Sequence, residues 1–144
     1  MPSRKIFFFG VFLALAWTIG VSAQQPAPET PAPDAAGVYR IGHGVTPPET
    51  VYQEPFDVPD QARKRKLYCV TDLALIVDAN GTPQDVRVVK STAEPYMDKK
   101  DHAAALAVDA KAVETVKRYR FKAGMLNGKP VPVRMKMELS YNQF

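Results

Sequence analysis

The chain has 144 residues, 46% of them hydrophobic and 24% charged, and its formal net charge is +4 at pH 7. These values indicate one globular domain and exclude an intrinsically disordered chain, which has too little apolar surface to form a core. The sequence also argues against nucleic acid binding, because lysine and arginine are spread along the chain beside acidic residues and form no basic stripe with aromatic side chains.

The first 23 residues have the pattern of a secretory signal peptide. Arg4 and Lys5 precede an uncharged apolar run over residues 6–21, and Val21-Ser22-Ala23 fits the small-x-small cleavage pattern. A short membrane anchor is the alternative, but a spanning helix usually needs about 20 apolar residues, and this run is shorter. We expect export with cleavage; an uncleaved segment would instead anchor the chain in a membrane.

Residues 24–44 are predicted to be a proline-rich spacer followed by a loop. Four prolines lie within residues 24–36 among small and acidic residues, a composition typical of an extended, solvated segment. The folded domain is then expected over residues 45–144. Near its start, Thr50-Val51-Tyr52 could pair as a short edge strand.

The next predicted elements are a short helix and a β-hairpin. Pro59 suits a first helical turn and predicts a helix over about 58–66. From Leu67 the period changes to two, with one better-buried face, which predicts a strand. Asn80-Gly81 favours a tight turn, and residues 84–91 resume the alternation, so the two strands should be antiparallel neighbours.

A long helix and a last strand complete the predicted fold. Asp101 is a plausible cap for a helix running to about Tyr119 with an apolar stripe on one side. Gly124 and Asn127-Gly128 provide turn chemistry, and residues 131–141 then alternate as a strand. The predicted class is α+β: a small three-stranded antiparallel sheet packed by two helices.

The sequence contains few residues that could form a catalytic, cofactor or metal site. Cys69 is the only cysteine and lies in an apolar strand pattern, where it is expected to be buried. His43 and His102 show no spacing to a nucleophile or carboxylate, and there is no metal-ligand spacing. Gly42-x-Gly44 lies among prolines rather than between a strand and a helix, so it does not indicate a phosphate site. We predict no enzymatic activity, no cofactor and no metal.

Six short motifs follow one another along the predicted domain. They are Pro59 with Ala62-Arg63, Val77-Asp78 with Gly81, Val86 and Val88 with Ser91, Arg120-Phe121, Gly124, and Asn127-Gly128-Lys129-Pro130-Val131. In this order they resemble the C-terminal domain of TonB-type energy transducers. The resemblance covers about residues 45–141, nearly all of the predicted domain. Within that pattern, Tyr119 and Phe121 are expected to hold the helix end on the sheet.

The resemblance implies a periplasmic domain that binds a short N-terminal segment of an outer-membrane transporter by strand addition, within TonB-dependent transport. If residues 1–23 are not cleaved, it implies instead a chain anchored in the inner membrane and facing the periplasm. An exposed last strand, with charges that discourage aggregation, is also suited to strand addition on physical grounds. The candidate partner-binding residues are Val131, Val133, Arg134, Met135, Lys136, Met137, Glu138 and Leu139.

Two alternatives remain open at the level of the sequence. The same strand edge could pair with itself, giving a homodimer or a structural scaffold with no transporter partner. A small hydrolase or ligand-binding domain would need His43 or His102 beside a carboxylate in a pocket.

Overall fold

The computed structural model describes residues 31–93 and 97–141, so the predicted signal peptide and most of the spacer lie outside the described residues. The elements in chain order are β1 (Tyr39–Arg40), β2 (Glu49–Tyr52), α1 (Asp60–Lys64), β3 (Cys69–Val77), β4 (Pro83–Ser91), α2 (Lys99–Lys117), β5 (Arg120–Lys122), β6 (Gly124–Leu126), β7 (Lys129–Val131) and β8 (Val133–Tyr141).

The main sheet has four strands in the order β1-β8-β3-β4. Strand β3 pairs antiparallel with β4, as predicted, and also pairs antiparallel with β8, whereas β1 pairs parallel with β8. The α+β class is confirmed, but the prediction of a three-stranded, wholly antiparallel sheet is wrong. Strand β1 is only two residues long, so it produces no alternation that a sequence pattern could reveal.

Two smaller sheets flank the main one. Strand β2 pairs antiparallel with β5, which confirms the short strand expected at Thr50-Val51-Tyr52. Strands β6 and β7 form a hairpin around Asn127 and Gly128, where only a turn was predicted. The last strand therefore begins at Val133 rather than at Val131, which belongs to β7.

The core lies between α2 and one face of the sheet. Alternate residues of β3, from Cys69 to Val77, are buried, and they pack with the apolar stripe of α2 as the two periodicities predicted. Tyr119 and Phe121 follow α2 and join the same core, with ring centroids 6.3 Å apart. The end of the helix is thereby fixed to the sheet, as expected.

Helix α2 begins earlier than predicted, and Asp98 rather than Asp101 is its cap. One carboxylate oxygen of Asp98 accepts the backbone N–H groups of Lys100 at 2.8 Å and Asp101 at 3.0 Å. These two hydrogen bonds are the main cause of the lowered pKa of Asp98. Asp101 lies in the first turn and pairs with Arg65, which connects α2 to the end of α1.

Candidate functional site: the free edge of the last strand

Strand β8 is a regular edge strand. It pairs with β3 through nine consecutive residues without a bulge, from Val133 opposite Val77 to Tyr141 opposite Cys69. On its other side β1 covers only Val133 and Arg134. Within residues 31–93 and 97–141, no strand pairs with that side from Met135 to Tyr141. This stretch therefore offers unpaired backbone groups to another extended chain.

The opposite edge of the sheet, strand β4, is irregular. Its register with β3 shifts twice, between Asp72 and Leu73 and again between Ala74 and Ile76. Asp85, which lies at the second shift, has a φ of 49°, far from strand geometry. Bulges twist an edge and interrupt the spacing of its hydrogen bonds, so β4 is a poor template for strand addition.

The direction of the backbone groups in β8 follows from two hydrogen bonds. The Tyr39 N–H donates to the Pro132 carbonyl oxygen at 2.9 Å, so Pro132 directs its carbonyl away from β3. On β3, the Val70 N–H donates to Thr92 Oγ1 at 2.6 Å. The backbone groups of the even-numbered residues of β3 are therefore directed toward β4. Backbone groups alternate in direction along a strand, so Lys136, Glu138 and Ser140 direct theirs to the free edge.

The side chains of β8 divide between two faces. Met135, Met137 and Leu139 are half-buried and pack on the core, as the alternation predicted. Arg134, Lys136 and Glu138 are exposed on the other face. The free edge therefore presents apolar and charged side chains in alternation, and an added strand would lie beside both.

The charges on the exposed face follow an order across the sheet. Glu138 lies opposite Asp72, and Asp72 in turn lies opposite Lys90, whereas Lys136 lies opposite the uncharged Ala74. Like charges directly across a strand pair are unfavourable. A strand added at β8 is accordingly favoured with a cation beside Glu138 and an acid beside Lys136.

The eight candidate binding residues do not all lie on this free edge. Five of them, Met135 to Leu139, lie on the uncovered part of β8. Arg134 and Val133 are covered by β1, and Val133 is 0% exposed. Val131 lies in β7 opposite Gly124.

The potential catalytic groups are dispersed. His43 is exposed in the loop after β1, and His102 is in the first turn of α2. Cys69 is buried, and burial, with a smaller contribution from Asp109, raises the pKa of its thiol. Among the residues whose positions are described, no three His, Cys, Asp or Glu side chains lie close enough to hold a metal ion.

One buried carboxylate was missed by the sequence patterns. Asp109 of α2 is 7% exposed and accepts hydrogen bonds from Thr71 Oγ1 of β3, at 2.6 Å, and from the Ser91 hydroxyl of β4. Both partners are hydroxyl donors within the protein, so the carboxylate is satisfied internally. The arrangement connects the helix to two strands and is structural.

No helix within the described ranges combines the length and the apolar character needed to cross a membrane.

The chain is similar to known proteins of one family. The family model of the Gram-negative bacterial TonB protein C-terminal matches residues 56–142. The solution structure of the Pseudomonas aeruginosa TonB C-terminal domain is similar, with a TM-score of 0.51 and 16% identity over 67% of this chain and 86% of that one. At 16% identity this likeness concerns the fold alone.

Two further structures are more distant. Vibrio anguillarum TonB2 has a TM-score of 0.46 and 14% identity over 99% of this chain and 96% of that one. The Helicobacter pylori TonB C-terminal domain (residues 179–285) has a TM-score of 0.33 and 21% identity over 62% of this chain and 70% of that one. No curated protein sequence matches the chain. Because the family model spans more than half of the chain and includes β3, β4, α2 and β8, the chain belongs to the TonB C-terminal domain family, a family of TonB-dependent transport.

Proposed function

We propose that the domain binds an extended segment of an outer-membrane transporter by adding it as a further strand beside Met135–Tyr141. The observation that carries this proposal is the contrast between the two edges of the main sheet: β8 is regular and uncovered over this stretch, whereas β4 is bulged twice. Membership of the TonB C-terminal family supports a transporter as the kind of partner. The role is non-catalytic.

In this proposal the backbone supplies most of the affinity and the side chains supply the preference. The outward backbone groups of Lys136, Glu138 and Ser140 would each pair with the incoming chain. The half-buried Met137 and Leu139 would contact its apolar residues, and the exposed charges of β8 would favour an acid beside Lys136. Five of the eight residues predicted from the sequence, Met135 to Leu139, would then take part.

The proposal is tested by removing one backbone N–H group that is directed to the free edge. Lys136→Pro is expected to weaken peptide binding about tenfold, because proline removes the donor and leaves a carbonyl of the partner unsatisfied. Synthetic peptides covering the periplasm-facing N-terminal segments of transporters from the same host would be titrated by fluorescence anisotropy. Lys136→Thr is the matched control, since it removes the same side chain but keeps the N–H and a good strand former.

Equal affinities for the proline and threonine variants would contradict strand addition at this edge. Circular dichroism of both variants must first show an intact fold. If no peptide binds and the native mass doubles with concentration, with that doubling lost in Lys136→Pro, the edge serves self-association instead.

We further propose that the chain is exported and that residues 1–23 are removed, leaving the spacer and the domain in the periplasm. The basic start, apolar run and small-x-small pattern support this. Intact mass of the protein from the periplasmic fraction is expected to correspond to a start at Gln24. A full-length chain recovered in the membrane fraction would contradict cleavage and indicate an anchored transducer.

A further inference from the structure

The stretch from Asp34 to Val45, which we term the stop segment, covers the beginning of the free edge of β8. Within it, Tyr39 and Arg40 pair parallel with Val133 and Arg134. The Tyr39 N–H donates to the Pro132 carbonyl at 2.9 Å. The parallel register then places the Arg134 N–H against the Tyr39 carbonyl. The outward backbone groups of Arg134 are thus occupied, whereas those of Lys136 are not.

A turn at Asp34 holds one end of the stop segment. One oxygen of the Asp34 carboxylate accepts the backbone N–H groups of Ala36 at 2.9 Å and Val38 at 3.0 Å. The other oxygen accepts from Arg134 Nη2 at 3.0 Å, so the same side chain folds the turn and pairs with β8. The hydrogen bond from Val38 is the largest cause of the lowered pKa of Asp34, and Arg134 contributes.

Two buried valines fix the stop segment against the domain. Val38 is 7% exposed and Val45 is 4% exposed. Val45 also forms an isolated bridge with Leu126 of β6. The segment is therefore attached on both sides of β1, although β1 itself contributes only two residues to the sheet.

The chain leaves the edge after β1 because three consecutive residues have positive φ. The φ values are 112° at Gly42, 52° at His43 and 90° at Gly44. An extended strand requires negative φ, so β1 cannot continue past Ile41 along Met135 and Lys136. A Cβ at Gly42 would meet no atom within 4 Å, so glycine is needed there for its backbone conformation and not for space.

We propose that the stop segment closes one end of the binding edge and thereby sets the length and the register of the strand that can be added. The available edge runs from Met135 to Tyr141, and its first outward-facing residue is Lys136. This inference rests on the proposed function for the nature of the added strand, but the closed end is a property of the free domain. Asp34 and Arg134 act as positioning residues: they hold the stop segment in place and make no contact with the ligand.

The first test is amide hydrogen exchange of the full chain without a ligand. The Arg134 amide is expected to exchange at least about tenfold more slowly than the amides of Lys136 and Glu138, because only Arg134 is covered by β1. Equal rates for Arg134 and Lys136 would overturn the proposal.

A variant then tests the role of the ion pair. Asp34→Asn keeps an oxygen that can accept the two N–H groups of the turn but removes the charge that pairs with Arg134. The Arg134 amide is expected to exchange about two- to fivefold faster, the range that an exposed ion pair gives. Glu138→Gln is the control, since it removes a charge from β8 away from the stop segment and should leave this rate unchanged. No acceleration in Asp34→Asn would overturn the role assigned to the ion pair.

Lowering the pH should weaken the same ion pair between Asp34 and Arg134. The pKa of Asp34 is lowered from its ordinary value of 3.8, so its contribution is complete above that value and is lost as the pH falls through the lower, folded-state pKa. The exchange measurements should therefore be made at a pH well above 3.8, where the ion pair between Asp34 and Arg134 is fully formed.

The last measurement uses a transporter peptide that binds. Binding is expected to slow exchange at Lys136 and Glu138 while the Tyr39 amide stays as protected as in the free chain. Loss of protection at Tyr39 on binding would show that the peptide displaces the stop segment and would overturn the proposal. If no peptide binds, the proposed function fails, while the exchange of the free chain still decides whether the edge has a closed end.

Discussion

Replacement of Gly81 by alanine is expected to lower the free energy of unfolding by about 3 kcal/mol or more, from steric overlap and backbone strain together. The Cβ would lie 1.8 Å from the carbonyl oxygen of Phe121, which is backbone and cannot rotate away. Gly81 also has a φ of 81°, and its own carbonyl accepts the Phe121 N–H at 2.9 Å. The substitution would separate the β3–β4 turn from β5.

Urea denaturation followed by circular dichroism measures this effect. Gly128→Ala is the matched control, because Gly128 has a similar φ of 76° but a Cβ there would meet no atom within 4 Å. It should cost only about 1 kcal/mol, the price of the left-handed conformation alone. Equal costs at the two positions would contradict the close approach of Gly81 to Phe121.

Removal of the carboxylate in Asp109→Ala is expected to destabilise the domain by about 3 kcal/mol, since two hydrogen bonds to a charged acceptor are lost. The Thr71 hydroxyl, which is buried, would be left without this partner. The Ser91 hydroxyl would lose its bond to α2 as well. The loss therefore affects the packing of α2 on both β3 and β4.

Thermal and urea unfolding of Asp109→Ala would be compared with Glu114→Ala, which removes an acid from the exposed side of the same helix. The control should change stability by less than about 0.5 kcal/mol, as is usual for surface positions. Asp109→Asn keeps one acceptor oxygen and should lie between the two. Similar stabilities for Asp109→Ala and Glu114→Ala would show that the buried hydrogen bonds contribute little.

The long elements could be predicted because a single period governs each of them. Strand β3 buries every second residue, and α2 buries one stripe, so the period of the apolar residues could be recognised in the sequence for both elements. Strands β1, β5, β6 and β7 have two or three residues each, too few to show any period. Their positions depend on tertiary pairing with β8, β2 and one another.

The sequence predicted that the residues of the candidate site form a strand, but it did not predict which backbone groups of that strand are free. Alternation identified Met135, Met137 and Leu139 as the inward side chains, and the structure confirms this. Which backbone groups are free depends on the partners of β8, and no local pattern records that Tyr39 pairs with Val133. The same holds for Asp109, whose burial is offset by hydroxyl groups distant in sequence.

The irregularity of β4 has a consequence for how copies of the domain could assemble. A competent edge is one that can pair with a further strand. A sheet with two competent edges can add copies at both ends and grow without limit into a filament. Here the register shifts in β4 leave β8 as the competent edge of the main sheet. Two copies that paired antiparallel through β8 would be related by a two-fold axis and would cover each other's competent edge, so growth would end at a closed pair.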